Sequence, residues 1–194
     1  MKTVKLIDVL FGGDHTPESL EQEPLRPAQA LKTAFALLTQ GNTAVASSLT
    51  ECIADTRDYF SSRSEMLDRR GLQYSAEAEP WLWVIAAVEA AQSEGYLRDI
   101  APDCSAEEFA SAVKAVLDGA GIEFSPDKVA FDSHRNPAAW AEKFNEYAGQ
   151  SGITLYFIDL YSEGPVMGAA LIADYAEAAE AAAMAGVVVT SRPV

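Results

Sequence analysis

Residues 153–190 constrain the fold more than any other part of the chain. Residues 153–160 (ITLYFIDL) form a nearly continuous apolar run, 161–165 (YSEGP) a turn signal, and 166–172 (VMGAALI) a second apolar run. A connection this short suits an antiparallel hairpin. Residues 174–185 then give an alanine-rich helical pattern closed by Gly186, and 187–190 a third strand candidate. Asp174 followed by Glu177 resembles a capping box with Asp in place of Ser or Thr. A helix over 175–185, following that cap, is ~16 Å long. A five- or six-residue strand is ~17–20 Å. The helix can therefore return the chain across the sheet, which predicts residues 187–189 parallel to 166–172 through a right-handed crossover.

Upstream of this unit the periodicity is helical. Leu6, Val9 and Leu10 lean residues 3–11 towards a helix, and 14–26 reads as a loop. Helical patterns follow over 27–39, over a long 43–70 and over 80–94. The third is apolar nearly all round, as a buried central helix is. Ser105 and Glu108 form a capping box ahead of Phe109, Val113, Val116 and Leu117. Asn136-Pro137 opens a last helix with Trp140, Phe144 and Tyr147 facing in. Residues 128–131 are a short strand or an irregular connection. The fold expected is α+β: a helical first two-thirds packed on a small mixed sheet from the C-terminal strand-turn-strand-helix-strand unit. At 194 residues one domain accounts for the whole chain, with the first 26 residues as a loosely attached extension.

The net charge is −15, unevenly spread. Residues 71–127 hold eleven Asp and Glu against Arg98 and Lys114, and residues 144–191 hold six acids and no Lys or Arg. Phosphate backbones and anionic membrane faces repel such a surface, so no nucleic-acid or membrane partner is expected. No apolar run reaches the ~18–20 residues of a membrane span. Lys5 and Asp8 interrupt the apolar N-terminus, which argues against an export leader. The expected location is the cytoplasm, with Cys52 and Cys104 as thiols.

Chemistry-bearing motifs are sparse. There is no P-loop, dinucleotide fingerprint, nucleophile elbow or CxxC pair. Only His15 and His134 are present, while a catalytic zinc usually takes three protein ligands. Asp132-Ser-His134 places a carboxylate two residues before an imidazole; the plainer reading is a loop beside the helix start at Asn136. Asp159 is the one charge inside the first apolar run, and Glu163 lies in the turn beyond it. Asp159 either ends the buried part of its strand or faces a cleft, where desolvation would raise its pKa. Asp159, Glu163, Asp132 and His134 are the candidate catalytic or ligand-binding residues. No cofactor and no metal site is expected.

The segment 81–97 (WLWVIAAVEAAQSEGYL), followed by Arg98-Asp99-Ile100 and an acidic capped helix, resembles the uncharacterised bacterial family called domain of unknown function 6630. The shared features are a Trp-bearing helix ending in Gly95-Tyr96, and a strand with Ile158-Asp159 leading through a polar turn into a strand and helix. The resemblance covers roughly residues 80–190. Where that family carries Asp-Trp-Lys this chain has Asp99-Ile100-Ala101, and Ser162-Glu163-Gly164 replaces its Asp-x-Tyr. It implies no activity. The leading expectation is a non-enzymatic module that binds a basic protein through an acidic face. The alternatives are a carboxylate-based enzyme or small-ligand binder centred on Asp159 with Asp132 and His134, and a structural homo-oligomer subunit.

Overall fold

The structure, a computed structural model, describes residues 25–69, 73–160 and 165–193. The expected helix over 3–11, residues 14–24 of the loop expected over 14–26, and Glu163 in its turn lie outside the described residues, while Leu25 and Arg26 belong to the first described helix rather than to that loop. The fold is α+β. The helices are α1 (Leu25–Leu38), α2 (Thr43–Ala54), α3 (Thr56–Ser61), α4 (Ser64–Arg69), α5 (Glu79–Ser93), α6 (Ala106–Gly119), α7 (Pro137–Ala148) and α8 (Ile172–Met184). The strands are β1 (Leu97–Asp99), β2 (Ile153–Ile158), β3 (Val166–Leu171) and β4 (Val189–Thr190), in the order β1-β3-β2-β4.

The expected hairpin forms: β2 pairs antiparallel with β3 from Ile153↔Leu171 to Ile158↔Val166. Both strands are apolar on both faces because both faces are covered. Leu97, Tyr156, Ile158 and Val166 look into a core shared with α1, α2, α5 and α8. Leu155, Phe157, Met167 and Ala169 look into a second core built by α6 and α7, around Phe109, Trp140 and Phe144. The sheet is therefore the middle of three layers.

The sheet is antiparallel throughout rather than mixed. The expected pairing of residues 187–189 with β3 does not occur, because Val166–Gly168 of β3 are already paired on both sides. β2 occupies one side and β1 the other, through Leu97↔Gly168 and Asp99↔Val166. The chain leaving α8 runs in the direction of β3, as the helix length requires, but lands on the far side of β2, with Phe157↔Thr190 and Ile158↔Val189. β1 has three residues and only Leu97 buried, too little for an alternating pattern to reveal.

β4 is two residues long, so part of β2's outer edge needs other partners. Asn145 of α7 supplies them. Its Oδ1 accepts from Leu155 N–H at 2.6 Å, and its Nδ2 donates to the carbonyls of Leu155 at 3.1 Å and Ser191 at 2.9 Å. One carboxamide thus takes the place of a strand residue and ties the C-terminal segment to α7. Asn145→Ala leaves the Leu155 amide without its partners, at an expected cost of ~2–3 kcal/mol in urea unfolding. A loss below ~0.5 kcal/mol would contradict this role.

The long helix expected over 43–70 is three helices. Asp55 ends α2, its N–H donating to the Glu51 carbonyl, and its carboxylate caps α3 by accepting from Asp58 N–H at 2.9 Å. At the break Thr56 is buried, donating to the Cys52 carbonyl at 2.9 Å and accepting from Trp83 Nε1 at 2.8 Å. Trp83 is thus half-buried packing. Cys52 is buried and free, its thiol pushed up to about 12 by burial. Cys104 is also free.

The capping box of α6 is present, Glu108 N–H donating to Ser105 Oγ and Ser105 N–H to Glu108 Oε2. Asn136 caps α7 through Ala139 N–H. The Asp174 cap is not formed. Here α8 starts three residues earlier, straight out of β3, and Ile172 N–H donates to the Gly152 carbonyl at 2.8 Å. Tyr147 faces outward at 41% exposure, edge-on to Phe124. Residues 126–128 form a 3₁₀ turn, and the short strand over 128–131 is absent.

Candidate functional site

The residues singled out in the sequence occupy distinct places. Asp132 and His134 are both exposed. His134 N–H donates to Asp132 Oδ1 at 2.9 Å, and the Asp132 carbonyl accepts from Trp140 Nε1 at 2.7 Å. The carboxylate two residues before the histidine closes an Asx turn that delivers the chain to the Asn136 cap. Asp159 is half-buried, directly after β2 and before the buried Leu160. It stands at the same end of the sheet as Asp99, with the row Asp99, Val166, Ile158 running between them across three strands. A cavity of about 220 Å³ at this end is lined by Ile100, Pro102, Pro137 and Pro165 among others. None of Asp132, His134 and Asp159 lines it. Among the described residues no group of three His, Cys, Asp or Glu could hold a metal ion.

A different place gathers charge. The C-terminal ends of α1, α5 and α6 meet at one corner. Gly119, the last residue of α6, lies so close to the turn after α5 that a Cβ on it would stand 2.1 Å from the Gly95 carbonyl oxygen. Gln40, just past α1, donates from Nε2 to the carbonyl of Ala120 at 2.6 Å. Asn42 donates from Nδ2 to Glu94 Oε2 at 3.2 Å while its Oδ1 caps α2. To aim its side chain Gln40 adopts φ 52°, an uncommon conformation for a residue other than glycine.

Each helix C-terminus carries the equivalent of about −0.5 charge, ordinarily complemented by Lys, Arg or His in the last turn. None of these three helices has a basic residue there. Instead Glu94 and Asp118 are exposed at the corner, with Glu123 on the connection that follows. Three dipole ends and exposed carboxylates thus add, with no cation from the last turns to offset them. The eleven-acid stretch of the sequence points to this region. What it does not show is the meeting of three helix ends, since Gln40 and Ala120 are eighty residues apart.

One further polar group is isolated. Tyr156 Oη is buried and has no hydrogen-bond partner among the described residues, and burial raises the phenol's pKa. The ring lies over Gly168 and stacks with Tyr175 at 6.5 Å between centroids.

A three-layer α+β domain with an acidic corner, no basic residue standing in the last turn of any of its three helices, describes a class of protein without naming a reaction. The family model described as Domain of unknown function (DUF6630) matches residues 30–193, so the chain belongs to the DUF6630 family. No curated protein and no solved structure matches the chain significantly. Among the described residues no helix is long and apolar enough to cross a membrane.

Proposed function

We propose that this protein is a cytosolic, non-enzymatic interaction module that binds a basic protein partner through the face centred on the ends of α1, α5 and α6. The observation that carries this reading is the convergence of three helix C-termini with Glu94 and Asp118 and no basic residue in any of the last turns. A lysine or arginine at that corner would strengthen the fold. The cation is instead left for a partner to bring. A field of this kind speeds association with a positively charged surface and weakens with salt.

Affinity capture from lysate of the native host tests this with the wild-type chain and Glu94→Lys/Asp118→Lys side by side, at low and high salt. The expected result is a basic protein retained by wild type at low salt, released at high salt and not retained by the variant. Retention that ignores both salt and the two substitutions would overturn the reading.

A further inference from the structure

Along the N-terminal part of α6, away from the acidic corner at its C-terminal end, lies a groove that has an apolar floor. α6 forms one wall and residues 126–131 the other of an open groove of about 470 Å³. Ala106, Ala110, Val129 and Phe131 supply apolar lining. Phe131 is held edge-on to Phe109 at 5.2 Å, and Phe109 leans on Trp140 at 5.4 Å, so the floor is continuous with the second core. Glu107 and Asp127 stand exposed on opposite walls, with Lys114 two turns along α6 from Glu107. None of these three has an ion-pair partner among the described residues.

An apolar floor flanked by two carboxylates and one ammonium, Glu107 and Asp127 against Lys114, is apolar with a net negative charge and favours a cationic occupant with an apolar side chain. A side chain large enough to fill the groove must reach the Phe131 and Val129 surface, and cations on either side must meet Glu107 and Asp127. Aromatic anchors in desolvated pockets dominate binding energies, while flanking charges govern steering and register. Resting on the reading above, we propose that the partner enters this groove with a segment carrying one aromatic residue flanked by lysine or arginine. The aromatic ring packs on Phe131, and the flanking cations pair with Glu107 and Asp127. The face supplies attraction; the groove supplies the contact that distinguishes one basic segment from another.

A capped pentapeptide with one tryptophan between paired lysines is the probe, and its counterpart with glutamates replacing the lysines is the control. Both are titrated into the full chain and followed by amide chemical shifts. The expected result is shifts centred on residues 106–114 and 129–131 with the lysine peptide alone. Glu107→Lys/Asp127→Lys and Phe131→Ser should each weaken binding about tenfold or more; the first changes only exposed side chains and keeps the test sound should the second disturb packing. Shifts confined to the surroundings of Glu94 and Asp118 would overturn the groove and leave the acidic-face reading standing. No shift anywhere would overturn both.

Discussion

Gly119→Ala is expected to lower the melting temperature by roughly 6–12 °C, reflecting a loss of more than ~3 kcal/mol. The new methyl carbon would stand 2.1 Å from the Gly95 carbonyl oxygen and 2.6 Å from its carbon. Both are backbone atoms of a turn that is itself fixed, Gly95 having φ 87° and Tyr96 N–H donating to the Ala91 carbonyl. No rotamer change can relieve the overlap; α6 has to move away from α5. The ordinary gain of ~1 kcal/mol from replacing a helical glycine with alanine acts in the opposite direction and is outweighed. Because the same approach brings three helix ends together, the variant should also lose salt-sensitive capture of a basic partner. Thermal unfolding followed by far-UV circular dichroism gives the first result. A melting temperature within ~2 °C of wild type would show that the two turns are not in contact.

Gly168→Ala should cost ~2–4 kcal/mol, for a different reason. Its Cβ would lie 2.3 Å from Tyr156 Cζ, 2.4 Å from Oη and 2.8 Å from Leu97 Cδ2. These are side-chain atoms, but the tyrosine is wholly buried and stacked on Tyr175, so it has nowhere to turn. The same ring carries the unpartnered hydroxyl. Tyr156→Phe removes a buried polar group that makes no hydrogen bond to any described residue, and should stabilise the chain by ~1 kcal/mol. In a double-mutant cycle, Gly168→Ala on a Tyr156→Leu background should cost at least ~1 kcal/mol less than on wild type. Additive losses would mean that Gly168 and Tyr156 do not pack against each other. A Tyr156→Phe variant less stable than wild type would mean that the hydroxyl has a partner.

Much of the architecture was legible from local chemistry. The apolar runs that became β2 and β3, the Ser105–Glu108 box, the Asn136-Pro137 start and the all-round apolar α5 each carry their signal within a few residues. The misreadings share one cause. Whether β4 joins β3 or β2 depends on β1, three residues long and some seventy positions away in sequence from its partner strand. Periodicity alone carries 43–70 through as one helix; the cap that Asp55 gives α3 shows only once Thr56 and Trp83 are seen to meet. Of the candidate site, the charge was visible and the geometry was not. Asp132 and His134 stood out by residue type, yet their spacing is explained by a turn. Gly119 carries no local signal in the sequence, and its role is close packing between helix ends.

The most direct test of the acidic corner compares stability and binding in one variant. Asp118→Lys puts a cation in the last turn of α6, where it complements helix ends that have no basic residue of their own. The expected result is a rise in unfolding free energy of roughly 0.5 kcal/mol together with loss of salt-sensitive binding to the basic partner. Stability gained while binding is lost would mark the corner as a surface kept electronegative for its partner. Unchanged binding in a folded Asp118→Lys chain would contradict the account.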